Sequence, residues 1–283
     1  MINLFDKKLR EIDHRILELP LSEIPHLFKD IPLDIFGELL LGVPERFPNI
    51  RTFFPTMASD EVQMNWTGAH GQTLLFQSLA FTKSLVTGYH EISGQEFGRA
   101  KVLDYGCGWG RLIRLLYKYV PVHNIYGVDP WDESIKQCLS HGVLGSLKVS
   151  EWLPKRLPFD EQFDVIYAFS VFTHLSQKTT SMVLETLRRY MFDKGVLAIT
   201  IRPKEYWHIH NGGANACEMI EAHDAKGFAF LPHKRDPIEG EITYGDASMS
   251  LAYLENTVPQ WKVARVEFNL TDPFQVIVFL QPD

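Results

Sequence analysis

The chain has 283 residues, 45% of them apolar, long enough for one large domain or a core with an appended part, and able to bury an interior without disulfide support. Its three cysteines, Cys107, Cys138 and Cys217, form no CxxC pair, which points to a reduced, cytoplasmic protein and gives no metal motif. A net charge of −7 with dispersed Lys and Arg argues against nucleic acid as a partner, and the lack of any run of about 18 apolar residues or of a basic-then-apolar leader predicts a soluble protein without membrane insertion.

Residues 1 to about 95 lack β-branched runs and are punctuated by Pro20, Pro25, Pro32, Pro44, Pro48 and Pro55, which predicts a mostly helical or irregular N-terminal extension. Its last piece, about Gly71 to Tyr89, places Leu74, Leu75, Leu79, Ala80 and Leu85 on one helical stripe. From Lys101 the texture changes. Val102-Leu103 reads as a strand, Gly106 to Gly110 as a glycine-rich turn, and Arg111 to Tyr119 as a helix. Ile125 to Val128 is a second strand ending at Asp129, followed by a helix over Ser134 to Ser140 and a third strand over Leu147 to Val149. Phe163 to Phe169 suits a strand buried on both faces, Thr179 to Met191 a helix, and Val196 to Ile201 a fifth strand. This alternation predicts a parallel sheet with right-handed crossovers.

Arg202 to about Tyr253 then breaks the alternation with a His-, Gly- and aromatic-rich stretch. Connections of that length are functional or hold small elements of their own. Val263 to Phe268 and Gln275 to Leu280 read as an antiparallel pair around Thr271-Asp272-Pro273. The division predicted is an extension over 1–95 and a main domain over 96–283 with an insertion over about 202–253.

The chemistry starts where the first strand ends. Asp104-Tyr105-Gly106-Cys107-Gly108-Trp109-Gly110 repeats glycine at every second position, which lets the backbone turn tightly and approach a ligand at the carboxyl end of the sheet. A dinucleotide fingerprint wants glycine where Arg111 stands, so the pattern favours a mononucleoside ligand. Asp129 follows Gly110 by 19 residues, where a carboxylate can accept from two ribose hydroxyls. Capping the helix that follows Pro130 is the other reading, and both stay open.

These residues resemble class I S-adenosylmethionine-dependent methyltransferases. The glycine turn looks like their motif I, and Tyr126-Gly127-Val128-Asp129 like their second motif. Leu157-Pro158-Phe159 with Gln162-Phe163-Asp164-Val165-Ile166 is similar to the approach to their fourth strand, and Lys194-Gly195 to the end of a "PGG" run with one glycine missing. Ser170-Val171-Phe172-Thr173-His174-Leu175 resembles a bacterial subgroup associated with cell-surface glycan and polysaccharide pathways. The likeness covers about residues 100 to 202. It implies a Rossmann-like α/β fold, a seven-stranded mostly parallel sheet with an antiparallel terminal hairpin, beside the N-terminal helical extension.

The resemblance also implies S-adenosyl-L-methionine as cofactor, with Asp104, Gly106, Gly108 and Gly110 at its methionine end and Asp129 at the ribose. It puts Trp131 against the adenine face, Glu151 and the Trp152 amide at the adenine edge, and Phe169 and Ser170 closing the site. Packing for Trp131, and helix-start chemistry or plain solvation for Glu151, stand as alternatives.

The acceptor is expected to be a small molecule or a sugar precursor methylated on oxygen. His174 is the candidate base, because imidazole titrates near neutral pH, and a histidine holding backbone is the alternative. His208, His210, His223 and His233 do not make a convincing metal set, and Tyr206, Trp207, Phe228, Phe230 and Tyr244 are expected either to wall the acceptor pocket or to pack an ordinary insertion. Trp66, in a polar stretch ahead of the first long helix, is read either as part of a lid or as the anchor of a surface connection. Phe169-Ser170-Val171-Phe172 lacks the Pro-Pro-Tyr signature of base methylation. A nicotinamide-dependent oxidoreductase on the same fold and a non-catalytic methyltransferase-like binding subunit are the rival functions.

Overall fold

A computed structural model describes residues 2–269 and 272–283. By packing, these residues fall into two compact units. One comprises the chain up to His90 together with Gln95–Val149, the other Glu91–Gly94 with Ser150–Asp283.

In the first unit the proline-punctuated segment is helical, as its composition predicts. It forms α1 (Asp6–Arg15), α2 (Ile24–Leu27), α3 (Leu33–Leu41), α4 (Pro48–Phe53), α5 (Asp60–Thr67) and the long α6 (Gly71–Ser93). α1 buries Leu9 and Ile12, and its Asp13 carboxylate accepts from the amides of Asn49 (2.9 Å) and Ile50 (2.8 Å). A carboxylate there satisfies amides that have no partner within α4 and complements its dipole. Phe36 packs edge-on against both Phe28 and Phe54 at 5.1 Å, so the short helices share one aromatic cluster.

β1 (Val102–Tyr105), α7 (Ile113–Leu116), β2 (Ile125–Asp129), α8 (Asp132–Ser140) and β3 (Ser146–Val149) follow. β1 runs parallel to β2 with Val102 opposite Ile125, and β2 parallel to β3 with Tyr126 opposite Ser146. The helix expected over Arg111–Tyr119 is one turn long. The amides of Leu115, Lys118 and Tyr119 bond three residues back, to Leu112, Leu115 and Leu116, and this tighter hydrogen bonding interrupts an α-helical ladder of which Arg114 N to Gly110 O and Val120 N to Leu116 O remain.

The second unit carries β4 (Phe163–Ala168), α9 (Gln177–Arg189), β5 (Met191–Ile201), α10 (Ala216–Lys226), β6 (Phe228–Pro232), β7 (Gly245–Met249), α11 (Leu251–Thr257), β8 (Trp261–Glu267) and β9 (Val276–Pro282). α9 starts earlier than expected because Ser176 caps it, its hydroxyl accepting from the Thr179 amide. β5 also starts earlier: Asp193-Lys194-Gly195 is a bulge within the strand, the register jumping from Phe163 opposite Met191 to Val165 opposite Val196. β4 ends at Ala168, leaving Phe169 in the turn beyond it.

The seven-stranded sheet has the order β3-β2-β1-β4-β5-β9-β8. β4 and β5 are parallel, while β9 is antiparallel to both β5 and β8, which is the expected terminal hairpin. Thr271, expected in its turn, lies outside the described residues. The long insertion folds on itself, with β6 and β7 pairing antiparallel and Trp207, Met219 and Ala229 packing as a core beside α10. Among the described residues no helix is long and apolar enough to cross a membrane.

Candidate active site

The glycine turn is held open by its backbone. Gly106, Gly108 and Gly110 have φ of 79°, 53° and 79°, which a side chain would strain. The amides of Gly106 and Cys107 donate to Val128 O at 2.8 and 3.0 Å, tying the turn to the end of β2. A Cβ on Gly108 would meet nothing within 4 Å, so the backbone there faces open space. At Gly110 a Cβ would crowd Val143 Cγ1 at 3.1 Å and Cys138 Sγ at 3.2 Å. Gly110→Ala is therefore expected to cost about 1–3 kcal/mol through left-handed strain plus overpacking, read as a lower urea midpoint with an unchanged slope.

Asp129 closes the turn from β2. Its Oδ2 accepts from Gly108 N at 2.9 Å and its Oδ1 from Trp131 N at 2.9 Å. One carboxylate thus spans the middle of the glycine turn and the approach to α8. With two amides and the Ser134 side chain donating to it, the carboxylate keeps acceptor capacity for one further donor. Burial pushes the Asp129 pKa up, against the amides of Trp131 and Gly108 and the Ser134 side chain, which pull it down. Asp104 is buried at the end of β1.

Trp131 is 45% exposed, and Trp66 of α5 lies against it with ring centroids 4.7 Å apart. Trp66 also packs on the cluster of Ala58, Ala69, Leu74 and Trp109. Beneath the turn, Trp109 and Arg114 are each 1% exposed, and Trp109 Nε1 and Arg114 Nε have no partner among the described residues. The guanidinium lies over the Trp109 ring at 4.7 Å, and burial lowers its pKa to about 10. Left-handed glycines, open space over Gly108, a carboxylate with spare acceptor capacity and buried donors without partners fit the methionine and ribose parts of S-adenosylmethionine.

The second unit holds the other expected site residues. Glu151 is exposed, and its carboxylate accepts from the Lys155 amide at 3.3 Å, which is turn-capping chemistry. Trp152 is half-buried. Ser170 takes a left-handed φ of 58°, uncommon for a residue with a side chain, and is fixed there from both ends. Its amide donates to Thr200 Oγ1 at 2.7 Å, and its hydroxyl accepts from Gln275 Nε2 at 3.1 Å.

His174 stands in a network that sequence patterns did not show. Its Nδ1 is 2.8 Å from Gly245 O, a pure acceptor, so Nδ1 carries the proton, and Nε2 accepts from Arg202 Nη2 at 3.2 Å. Burial, then the Arg202 charge, lower its pKa to about 4. Both nitrogens are engaged and the ring is neutral, so this geometry supports the backbone-holding alternative for His174 rather than a base.

The centre of that network is Asp246 of β7. Its Oδ1 accepts from Arg202 Nη1 at 2.6 Å and Tyr206 OH at 3.1 Å, and its Oδ2 from His233 Nε2 at 2.7 Å and His210 Nε2 at 3.1 Å. Burial opposes its charge, but the His233 hydrogen bond and the Arg202 charge prevail and hold it well below the usual carboxylate range. Neither Asp246 nor Arg202 belongs to a recognisable motif; the histidines were visible, but their shared carboxylate lies 13 to 72 residues away from them in the chain.

The remaining loop histidines are not in the network. His223 bonds Ser248 Oγ at 2.8 Å, and His208 is exposed. Trp207 is a core residue of the insertion. Phe230 and Phe228 line a cavity of about 540 Å³ together with Lys178, Lys226 and Glu241. Among the described residues no group of three or more His, Cys, Asp or Glu side chains is arranged to hold a metal ion.

Comparison with known proteins bears on the first of these regions. Residues 102–195 match the family model of the methyltransferase domain. An uncharacterized methyltransferase of Schizosaccharomyces pombe is 28% identical over 131 residues, which cover 38% of this chain and 45% of the relative; the match thus spans less than half of that relative's length. Among solved structures, an S-adenosylmethionine-dependent methyltransferase from Clostridium acetobutylicum shares the fold at a TM-score of 0.51 and 12% identity, covering 78% of this chain and 96% of that one. Residues 102–195 are thus similar to a methyltransferase domain, and the chain shares the fold of an S-adenosylmethionine-dependent methyltransferase, in line with the expectation raised by the glycine turn.

Proposed function

We propose that the protein transfers a methyl group from S-adenosylmethionine to an oxygen of a small molecule or sugar precursor. The observation that carries the donor half is the Asp129 carboxylate, bonded at once to the Gly108 and Trp131 amides with lone pairs to spare. When bound, the cofactor supplies an electrophilic methyl group on a sulfonium. Asp104, Gly106, Gly108 and Gly110 would hold its methionine end, Asp129 its ribose hydroxyls and Trp131 its adenine face. The adenine-edge roles of Glu151 and the Trp152 amide, and the closing roles of Phe169 and Ser170, enter this reading from the family resemblance. So does the glycan-pathway assignment, an argument by analogy.

Calorimetry on the purified protein tests the donor half. Heat on addition of S-adenosylhomocysteine, and none with a nicotinamide dinucleotide, is expected; the reverse pattern would overturn the reading in favour of an oxidoreductase. The N-terminal extension acts in this reading as a cover, with Trp66 limiting water above Trp131. Trp66→Ala is expected to weaken S-adenosylhomocysteine binding several-fold, since base-like stacking on an aromatic ring contributes about 1–3 kcal/mol. Unchanged affinity in that variant would remove the cover.

On the acceptor side, the residues that align and deprotonate a hydroxyl matter more than any covalent chemistry of the protein. The insertion and the turn after β4 supply them. His174, the base suggested by the sequence, is held there between Gly245 O and Arg202.

A further inference from the structure

We propose that Trp109 and Arg114 form an anion site beneath the glycine turn, and that its occupant is a single chloride-sized ion. The site lies wholly within the first unit and stands whatever the acceptor of the methyl group.

A guanidinium keeps its charge inside a protein, and taking it out of water is costly unless an anion meets it. Arg114 is 1% exposed, and among the described residues no carboxylate forms an ion pair with it. The ionisable groups that support its charge are Tyr117 and Cys138, a phenol and a thiol. Its other contacts are weak substitutes. Nη1 donates to Met57 Sδ at 3.3 Å, Nη2 donates to Trp109 O at a long 3.4 Å, and the guanidinium carbon stands over the Trp109 ring. The charge reaches beyond these groups: after burial, it is the second cause that lowers the pKa of His141.

Two buried donors have no partner among the described residues, Arg114 Nε and Trp109 Nε1. Neither atom accepts a hydrogen bond, so only an acceptor completes them. Both side chains line a cavity of about 20 Å³ walled by residues of α3, α6, α7 and the glycine turn. Arg111 and Arg114 are the charged residues of that lining, and no Asp or Glu belongs to it. Positive charge, donors without acceptors and enclosure thus coincide in one place.

The volume decides what fits. Room for about one water molecule admits a halide ion and excludes a phosphate. A carboxylate enters only by its oxygens, as the end of a longer molecule such as the methionine part of the cofactor. That carboxylate is the other source of the same chemistry, and the test below separates it from a free ion. Trp109 stands between Gly108 and Gly110, so an ion held by both side chains ties the glycine turn to α7.

Crystals of the full chain soaked in sodium bromide, with and without S-adenosylhomocysteine, and measured at the bromine absorption edge show the occupant directly. An anomalous peak within hydrogen-bond reach of Arg114 Nε and Trp109 Nε1 is expected in both crystals. A peak displaced by the carboxylate of S-adenosylhomocysteine overturns the free ion as occupant and assigns the site to the donor. In solution, thermal unfolding is followed while chloride replaces gluconate at constant ionic strength, and a saturable rise of about 5 °C is expected. Arg114→Met should abolish that rise and, in gluconate, melt no lower than the wild type, because the buried cation is gone. Trp109→Phe keeps a ring under the guanidinium but removes the N–H, and should raise the chloride concentration needed about 10-fold. Should Trp109→Phe fail to fold, the crystals and the wild-type salt series still decide. No bromide peak together with equal melting in the two salts, or an Arg114→Met variant that keeps the rise with chloride, overturns the proposal.

Discussion

Asp129→Ala is expected to weaken S-adenosylhomocysteine binding by at least about 100-fold while leaving the protein folded. The carboxylate makes two charge-assisted bonds to backbone amides, each about 1.5–3 kcal/mol, which shape the glycine turn before any ligand arrives. Ribose hydroxyls donating to the same group would add bonds of the same kind. Stability should respond less, because burial pushes the Asp129 pKa up: the ionised form is disfavoured by the folded environment, and removing it relieves part of what the amide bonds contribute. The comparison with Asp129→Asn separates the two effects. Asn keeps one acceptor oxygen but turns an NH₂ group toward one of the two amides, so it should retain the fold and still lose most of the affinity. Calorimetry for affinity and urea unfolding for stability give both numbers on the same preparations. Equal losses in the two measurements would show that Asp129 holds the fold rather than the ligand.

The glycine turn was legible in the sequence because its chemistry is local. Glycines at alternate positions after a strand have one backbone purpose, and Asp129 stands at a fixed distance along the next βα unit. The strands of the parallel core were legible for a related reason, as apolar runs buried on both faces. Periodicity failed where tertiary bonds shape the backbone. The segment after Gly110 has the apolar spacing of a long helix, yet three of its amides bond three residues back and one α-helical turn remains. The β5 bulge at Asp193-Lys194-Gly195 reads locally as the end of a helix. The Asp246 network was not legible at all, since His174, Arg202, His210, His233 and Asp246 meet only when β7 is laid beside β6 and the turn after β4. A lone Asp in Tyr244-Gly245-Asp246-Ala247-Ser248 has no sequence mark that distinguishes it from a surface residue. A histidine after the fourth strand was visible, but that Arg202 reaches its Nε2 was not.

That occupied lone pair predicts how the protein fails in acid. His174 has an ordinary pKa of 6.5 and a folded value of about 4, so the unfolded chain takes up its proton first as pH falls. The stabilisation from keeping the ring neutral is complete above about pH 6.5 and is lost progressively down to about pH 4. A shift of that size corresponds to about 3 kcal/mol. Asp246 has the opposite dependence on its own charge but the same outcome: its folded pKa is depressed, so its contribution is present above the normal carboxylate range and disappears below it. Urea midpoints measured against pH should therefore fall in two stages, the upper owed to His174 and the lower to Asp246. His174→Gln should flatten the upper stage and spare the lower, since the Gln amide can still donate to Gly245 O and offer an oxygen to Arg202. Asp246→Ala should instead cost about 3–5 kcal/mol already at neutral pH, because the Arg202 guanidinium is then left buried without its counter-charge. The two variants thus part the network into a proton-linked half and a charge-paired half. An upper stage that persisted in His174→Gln would mean that the acid sensitivity resides in another histidine and that the Arg202 contact does not keep His174 neutral.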